Sequence, residues 1–438
     1  MKRVLYILLL AAILTLTGCN LRTVKELYCL PIRSESYEDL QNLIDQSMQG
    51  LEYSAPASGV TLQTVQMADL DGDGSNEYLL FAKGTSELPM HIFIFSASEE
   101  GYYLRDTIQC SGSSFGNVQY AQIDGRPGFE IVVGRRISEQ ITQSLSVYTL
   151  INGQMEQLLT APYTRFLCTD MDGNGMQEVF ILRPDDNNSG NGVAELYYEK
   201  DGAITRSAVA SMSCPAESIK RIMVSRLNDY RSAVYVASDV NATSIVTDVY
   251  SIVDGKFTNL TMDIASDTNV STLRNYYVFA EDIDMDGVLE LPQLISMRMP
   301  EDSVSAESQH LIHWYALNSA GKPTTKRYTY HNYLGGWYLE LNKNTAPYLT
   351  VSHEGSSYVF SIWNEDFTEL EPLMTVYVLT GQKREEQATV DNRFVLHRTE
   401  STVYAASLEV TAAQYGMSSQ SLINSFAMIE HRWNTGES

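Results

Sequence analysis

Three short stretches of this chain share one arrangement: Asp69-Leu-Asp71-Gly-Asp73-Gly-Ser75-Asn-Glu77, Asp170-Met-Asp172-Gly-Asn174-Gly-Met176-Gln-Glu178 and Asp282-Ile-Asp284-Met-Asp286-Gly-Val288-Leu-Glu290. Apolar runs stand on either side of each, and glycines turn the chain between them, so each reads as a tight loop joining two strands. Acids at alternate positions turn their carboxylates toward one point. Hard oxygen donors at this spacing suit calcium, which takes six to eight oxygens at about 2.3–2.6 Å. An EF-hand is excluded because strands, not helices, flank the loops.

The loops recur in period, and the period sets the fold. Glu77, Glu130, Glu178 and, two steps on, Glu290 follow one another at about fifty-residue spacing. Glu130 closes a weaker copy, Gln122-Ile-Asp124-Gly-Arg126-Pro-Gly-Phe-Glu130, and a copy without acids falls near Leu227-Asn228-Asp229-Tyr230. Each period holds about four short strands, the make-up of a propeller blade that buries its faces only against neighbouring blades. The expected class is therefore all-β, a β-propeller of four-stranded blades with short N- and C-terminal helices. Blades are expected at 62–110, 116–162, 164–212, 219–264, 275–327 and 332–372. The strands Met374–Leu379, Arg393–Arg398 and Val403–Leu408 are expected to join Val24–Leu30 in a seventh blade that closes the ring. Six blades with a capping sheet is the alternative.

Between about residues 60 and 330 the loops resemble the FG-GAP and VCBS repeats of calcium-binding propellers, as in integrin α-subunit heads and bacterial surface proteins. The resemblance implies side-chain ligands at Asp69, Asp71, Asp73 and Glu77, at Asp170, Asp172, Asn174 and Glu178, and at Asp282, Asp284, Asp286 and Glu290. It also implies carbonyl ligands at Ser75, Met176 and Val288. The family often has Asp as the last ligand, so the longer Glu either coordinates differently or serves the hairpin alone. Met285 stands where the first and third loops have glycine, and its side chain is expected to point away. In the second blade a guanidinium, Arg126, occupies a ligand position, which repels a metal and pairs instead with Asp124 or Glu130. Up to three calcium ions are thus expected, in the first, third and fifth blades, with a structural role.

The first residues carry an address rather than a fold. Lys2 and Arg3 precede the apolar run Val4–Leu16, and Leu16-Thr17-Gly18-Cys19 resembles the bacterial lipobox, which implies cleavage before Cys19 and covalent lipid on its thiol. The expected organisation is a signal peptide over 1–18, a tether with a strand and helix over 19–58, the propeller over 59–410 and a C-terminal helix over 411–438. Two amphipathic segments support the helices: Tyr37, Leu40, Leu43, Ile44 and Met48 after a Ser36 cap, and Leu422, Ile423, Phe426, Ile429 and Trp433 after Ser418 or Ser419. The expected location is the extracytoplasmic side of a bacterial cell membrane, as a lipid-anchored monomer.

Charge narrows the partners. Asp and Glu total 54 against 30 Lys and Arg, a formal charge of −24, which argues against nucleic acid. Hydrophobic residues make up 44 %, enough for a large core. Cys29, Cys110, Cys168 and Cys214 lack the spacing of a zinc site and read as small buried residues, with one disulfide open as an alternative. No nucleophile elbow, phosphate loop or helical histidine pair is present. Two functions fit: a binding or scaffolding module for an unidentified protein or glycan, or a polysaccharide hydrolase or lyase built on the propeller. Trp314, Trp337 and Trp363 either fill the wedges between blades or face a ligand.

Overall fold

The computed structural model describes residues 35–137, 143–187, 190–228, 231–263, 266, 268–275, 278–300, 310–318 and 320–429. Six antiparallel sheets of four or five strands follow one another along the chain in a propeller-like, all-β arrangement. The first contains Val65–Ala68, Glu77–Lys83, Met90–Ser98 and Gly101–Cys110, with Glu52–Tyr53 added at its edge. The second runs Ser114–Ala121, Glu130–Arg136, Gln143–Ile151 and Gln154–Pro162. The third runs Arg165–Thr169, Glu178–Pro184, Gly192–Lys200 and Ala203–Ser211. Apart from Glu52–Tyr53, which pairs with Glu77–Lys83, every strand in these three sheets pairs with the next in sequence, because the turns between them are too short for any crossover.

The strands after the loops read as continuous apolar runs because both of their faces are covered. In Glu77–Lys83, Leu79 and Phe81 pack toward the second sheet, against Phe115 and Ile131, while Leu80 and Ala82 point the other way. Successive pairs of sheets share apolar clusters in the same fashion. Val132 and Leu145 pack with Val179 and Ile181, Phe180 with Tyr250 and Phe257, Tyr235 with Leu291 and Tyr315, and Trp337 with Phe360. Each fully buried Leu or Phe is worth about 1.5–3 kcal/mol, so stacking of sheets supplies the main driving force.

The first sheet's other face is covered by the helix Glu35–Ser47, whose Leu40 and Ile44 lie on Leu80, Phe93 and Phe95. This is the helix expected from Tyr37 to Met48, although it begins at Glu35, so Ser36 lies inside it and not at its cap. The strand expected at Val24–Leu30, like Cys19 and Cys29, lies outside the described residues.

The C-terminal third departs from the expected blades. Leu349–Glu354 pairs with Ser357–Trp363 and this with Leu370–Thr380, beyond which Thr402–Leu408 and then Phe394–Arg398 continue the same sheet. The three strands expected in a seventh blade therefore complete the sixth sheet. The cause is local: Asn364 accepts the Thr368 amide at 2.8 Å and Phe367 takes a φ of 55°, a tight turn that folds the next strand straight back. Trp337–Leu341, expected in the sixth blade, is instead the neighbour of Pro323–Asn332 in the fifth sheet.

The tail also differs. Ser418 caps a helix over Ser419–Ser425 with a capping box to Ser421, but the apolar stripe does not continue as helix. Phe426–Met428 becomes a strand on the free edge of Trp337–Leu341, pairing Phe426 with Leu339. Exposed edge groups of that sheet gain partners this way, which a further helical turn could not supply. Trp433 lies outside the described residues.

Candidate metal centres

Each loop is held by its own side chains. Asp69 accepts the Gly72 amide at 2.7 Å and the Gly74 amide at 3.0 Å, and Asp170 accepts those of Gly173 and Gly175 at 2.7 and 2.9 Å. Asp282 does the same for Asp286 and Gly287 at 3.0 and 2.9 Å. The third side chain caps the turn exit: Asp73 accepts from Ser75, Asn174 from Met176 and Asp286 from Val288. Met285 sits at a φ of 61° and is 91 % exposed, so its side chain points away at the cost of a left-handed backbone.

The glutamate has one duty in all four loops. Its Oε2 accepts the amide seven residues back: Glu77 from Leu70 at 2.8 Å, Glu130 from Ile123 at 2.6 Å, Glu178 from Met171 at 2.7 Å and Glu290 from Ile283 at 3.0 Å. The second loop keeps this bond although it carries an arginine, so the glutamate is first a hairpin residue. Its other oxygen accepts from Ser96 in Glu77 and from Thr149 in Glu130, and in Glu290 it has no hydrogen bond. Adjacent loops are joined as well, Phe129 donating to the Asp69 carbonyl at 2.9 Å and Gln177 to the Gln122 carbonyl at 2.7 Å.

In the first, third and fifth loops two aspartates and the glutamate converge. Carboxylate oxygens of Asp69, Asp71 and Glu77 lie within 4.8 Å of one another, as do those of Asp170, Asp172 and Glu178, and of Asp282, Asp284 and Glu290. Asp73 and Asp286 stand outside these triads. Burial pushes the Glu178 and Glu290 carboxyls up to about 7, with the neighbouring aspartates adding to it, and burial also raises Glu77. Such a cluster gains from a cation placed among its oxygens. In the fifth loop Asp284 Oδ1 and Glu290 Oε1 are buried without a hydrogen bond, acceptors that a cation would satisfy. The donor set, carboxylates only, fits a hard divalent ion.

Two residues that the sequence reading did not single out also enter these sites. In the first, second, third and fifth sheets the two strands that follow the loop strand pair with one residue skipped, a β-bulge that re-aims a side chain. In the first sheet the bulge falls at Arg105, between the pairs Ile94–Asp106 and Phe95–Leu104, and in the fifth at Lys326, between Trp314–Arg327 and Tyr315–Thr325. Arg105 Nη1 reaches Asp71 at 2.5 Å and Glu77 at 3.8 Å. Lys326 Nζ reaches Asp286 at 2.5 Å, Asp284 at 3.3 Å and Glu290 at 3.9 Å, and holds the Asp286 carboxyl below its usual range. The second loop supplies its own cation, Arg126, with Nε 3.7 Å from Asp124. In the third sheet the skipped residue is Ser207, and none of the ion pairs among the described residues involves Asp170, Asp172 or Glu178. A cleft of about 650 Å³ opens beside Asp172 and Glu178, bordered by Tyr198, Arg231 and Lys256. Only the bulge register reveals these cations; their sequence distance from the glutamate differs between repeats.

The other candidates are structural. Trp314 and Trp337 are fully buried: Trp337 fills the wedge between the fifth and sixth sheets, and Trp314 packs on Val278, Ile283 and Ile312 within the fifth. Cys110, Cys168 and Cys214 are free thiols, with Cys168 pushed up to about 12 and Cys214 to about 11 by burial, so no disulfide joins described residues.

No family model matches the chain, and no curated protein matches it. Among solved structures, it is similar to a protein from Lactobacillus plantarum, at 12 % identity over 72 % of this chain and 84 % of that one, with a TM-score of 0.30. It is also similar to a Bacillus licheniformis rhamnogalacturonan lyase, at 12 % identity over 74 % and 72 % with a TM-score of 0.29. A third likeness is to the β-propeller domain of the Trilobed protease from Pyrococcus furiosus, at 11 % identity over 73 % and 90 % with a TM-score of 0.29. Values this low carry no argument about activity, and the assignment of an all-β, propeller-like architecture rests on the six sheets themselves.

Proposed function

We propose that this protein is a calcium-stabilised, propeller-like binding module, anchored by lipid on Cys19 to the outer face of a bacterial membrane, where it holds a protein or glycan. The observation that carries the metal part of this reading is the convergence of Asp-Asp-Glu oxygens at the same station of three repeats. Asp170, Asp172 and Glu178 would hold the first ion, because no described ion pair neutralises them. Asp69, Asp71 and Glu77, and Asp282, Asp284 and Glu290, would take calcium only as Arg105 and Lys326 swing away. When bound, the ion supplies positive charge that relieves carboxylate repulsion and fixes the hairpin; it has no assigned part in a reaction.

Two measurements test the reading. A chelator should lower the melting temperature, and replacing Asp71, Asp172 and Asp284 together by Ala should remove that response; a melt indifferent to chelator in the native protein sinks the calcium claim. For the anchor, Cys19→Ala should move the full chain from the membrane to the soluble fraction. Unchanged membrane association would remove Cys19 as the anchor.

A further inference from the structure

The second and third sheets place an arginine at the same station, Arg135 and Arg183, each five residues beyond the loop glutamate. Strand register extends the match. In the third sheet Ile181 pairs with Glu195, and Val179 with Tyr197, whose partner on the next strand is Arg206. In the second, Val133 pairs with Ser146, and Ile131 with Tyr148, whose partner is Gln157. Glu195 is 1 % exposed and collects three donors: Arg183 Nη2 at 2.7 Å, Arg206 Nη1 at 2.8 Å and the Tyr197 hydroxyl at 2.9 Å. The second sheet keeps the arginine and the tyrosine, has glutamine in place of Arg206, and has serine where the carboxylate stood.

Arg135 is consequently a buried cation without a counter-charge among the described residues. It is 5 % exposed, donates from Nη1 to the Ser111 carbonyl at 2.6 Å and from Nη2 to Ser146 Oγ at 2.8 Å, and its Nε has no partner. None of the ion pairs among the described residues involves it. An uncompensated buried charge is costly, and the usual remedy is an opposite charge beside it. In front of it a cleft of about 550 Å³ lies between the first and second sheets, bordered by Arg135, Tyr148, Gln157, Gln109 and Thr160. That volume is in the range of small-molecule sites.

We propose that this cleft binds a small organic carboxylate, its carboxylate group taking the place that Glu195 occupies in the third sheet. Arg135 forms the ion pair, with the Tyr148 hydroxyl as a neutral donor. The amides of Gln109 and Gln157 and the hydroxyl of Thr160 favour a hydroxyl-rich body, the class of a sugar acid. This gives the binding module a ligand class and rests on that part of the functional reading, but it uses none of the calcium-loop residues.

Calorimetric titration of the full protein with galacturonate, lactate and acetate at millimolar concentration, against galactose and inorganic sulfate, tests it. Carboxylates should bind and galactose should not, with or without chelator, which keeps this outcome separate from the calcium claim. Arg135→Gln should weaken binding at least about tenfold, the loss of a charged hydrogen bond. Ser146→Glu should give Arg135 a carboxylate from within the sheet, abolishing binding while raising the melting temperature, so the test does not hang on one variant folding. Gln157→Arg should tighten binding. The proposal is overturned if no carboxylate binds, if sulfate binds equally well, or if Ser146→Glu leaves stability unchanged or lower.

Discussion

The second and third sheets are neighbouring copies of one unit that hold their charges in opposite ways. At the loop, the second sheet carries its own cation, Arg126 beside Asp124, while the third leaves Asp170, Asp172 and Glu178 without a described ion pair. At the far end of the following strand the positions are reversed. The third sheet buries Arg183 against Glu195 at 2.7 Å, and the second buries Arg135 beside Ser146. One repeat is short of a cation and the next is short of an anion. The backbone, the bulge and the glutamate–amide bond persist through both, so the scaffold tolerates exchange of the charge it encloses. A repeat can lose or gain a ligand by one substitution without refolding.

The comparison breaks most sharply at Glu195. Glu195→Ser would give the third sheet the second sheet's serine, leaving Arg183 only the exposed Asp186, 3.0 Å away, as counter-charge. Removing one member of a buried pair costs about 3–5 kcal/mol, which denaturant unfolding should register. Burial pushes the Glu195 carboxyl up, yet the bonds from Arg183, Tyr197 and Arg206 together hold it below its ordinary value. A near-neutral result would show that Asp186, not the buried carboxylate, satisfies Arg183.

Calcium is the next largest effect. Asp172→Ala should remove most of the difference in melting temperature between calcium-loaded and chelated protein, and Asp71→Ala much less, since Arg105 already sits 2.5 Å from Asp71. Equal losses from both would place the first and third loops on the same footing and contradict the role given to the bulge residue.

A smaller effect follows from Glu130, in the loop that carries Arg126. Burial, with Asp124 adding to it, raises this carboxyl to about 7, against an ordinary value of 4.5. Between those values the folded chain keeps a proton that the unfolded chain has released, so this group's contribution to stability is full below about 4.5 and is lost as pH rises through about 7. Melts of native protein and Glu130→Gln should therefore differ in slope over that window, the variant being flatter by a few degrees. Parallel curves would mean that Glu130 ionises freely. Smallest of all, Met285→Gly should stabilise the fifth loop by about 1 kcal/mol or less, the relief of a left-handed φ. A destabilised variant would assign the exposed methionine a contact.

Much of this molecule is legible along the chain, and the illegible remainder has a common cause. The loops at Asp69, Asp170 and Asp282, the period of about fifty residues and the helix around Leu40 and Ile44 are local patterns, set by turn glycines and by alternating or helical spacing. The last third departs from the expected blades because its strands, from Trp337 to Leu408, carry no acidic loop to mark where one sheet stops. Turn geometry at residues 364–369 then decided that Leu370–Thr380 folds back onto the sixth sheet. Phe426 likewise reads as the next turn of a helix until the open edge at Leu339 offers it a strand.

The sequence alone determined that strands would meet at acid-rich hairpins and that sheets would need neighbours to cover their apolar faces. Only the tertiary structure decided which charges meet. Arg105, Lys326, Arg135 and Glu195 are ordinary surface-type residues in the chain. Their partners depend on a skipped residue in a ladder or on the register between two strands, and a one-residue shift sends a side chain to the opposite face of its sheet. Charge pairing is a property of that register, and register is fixed by packing between sheets.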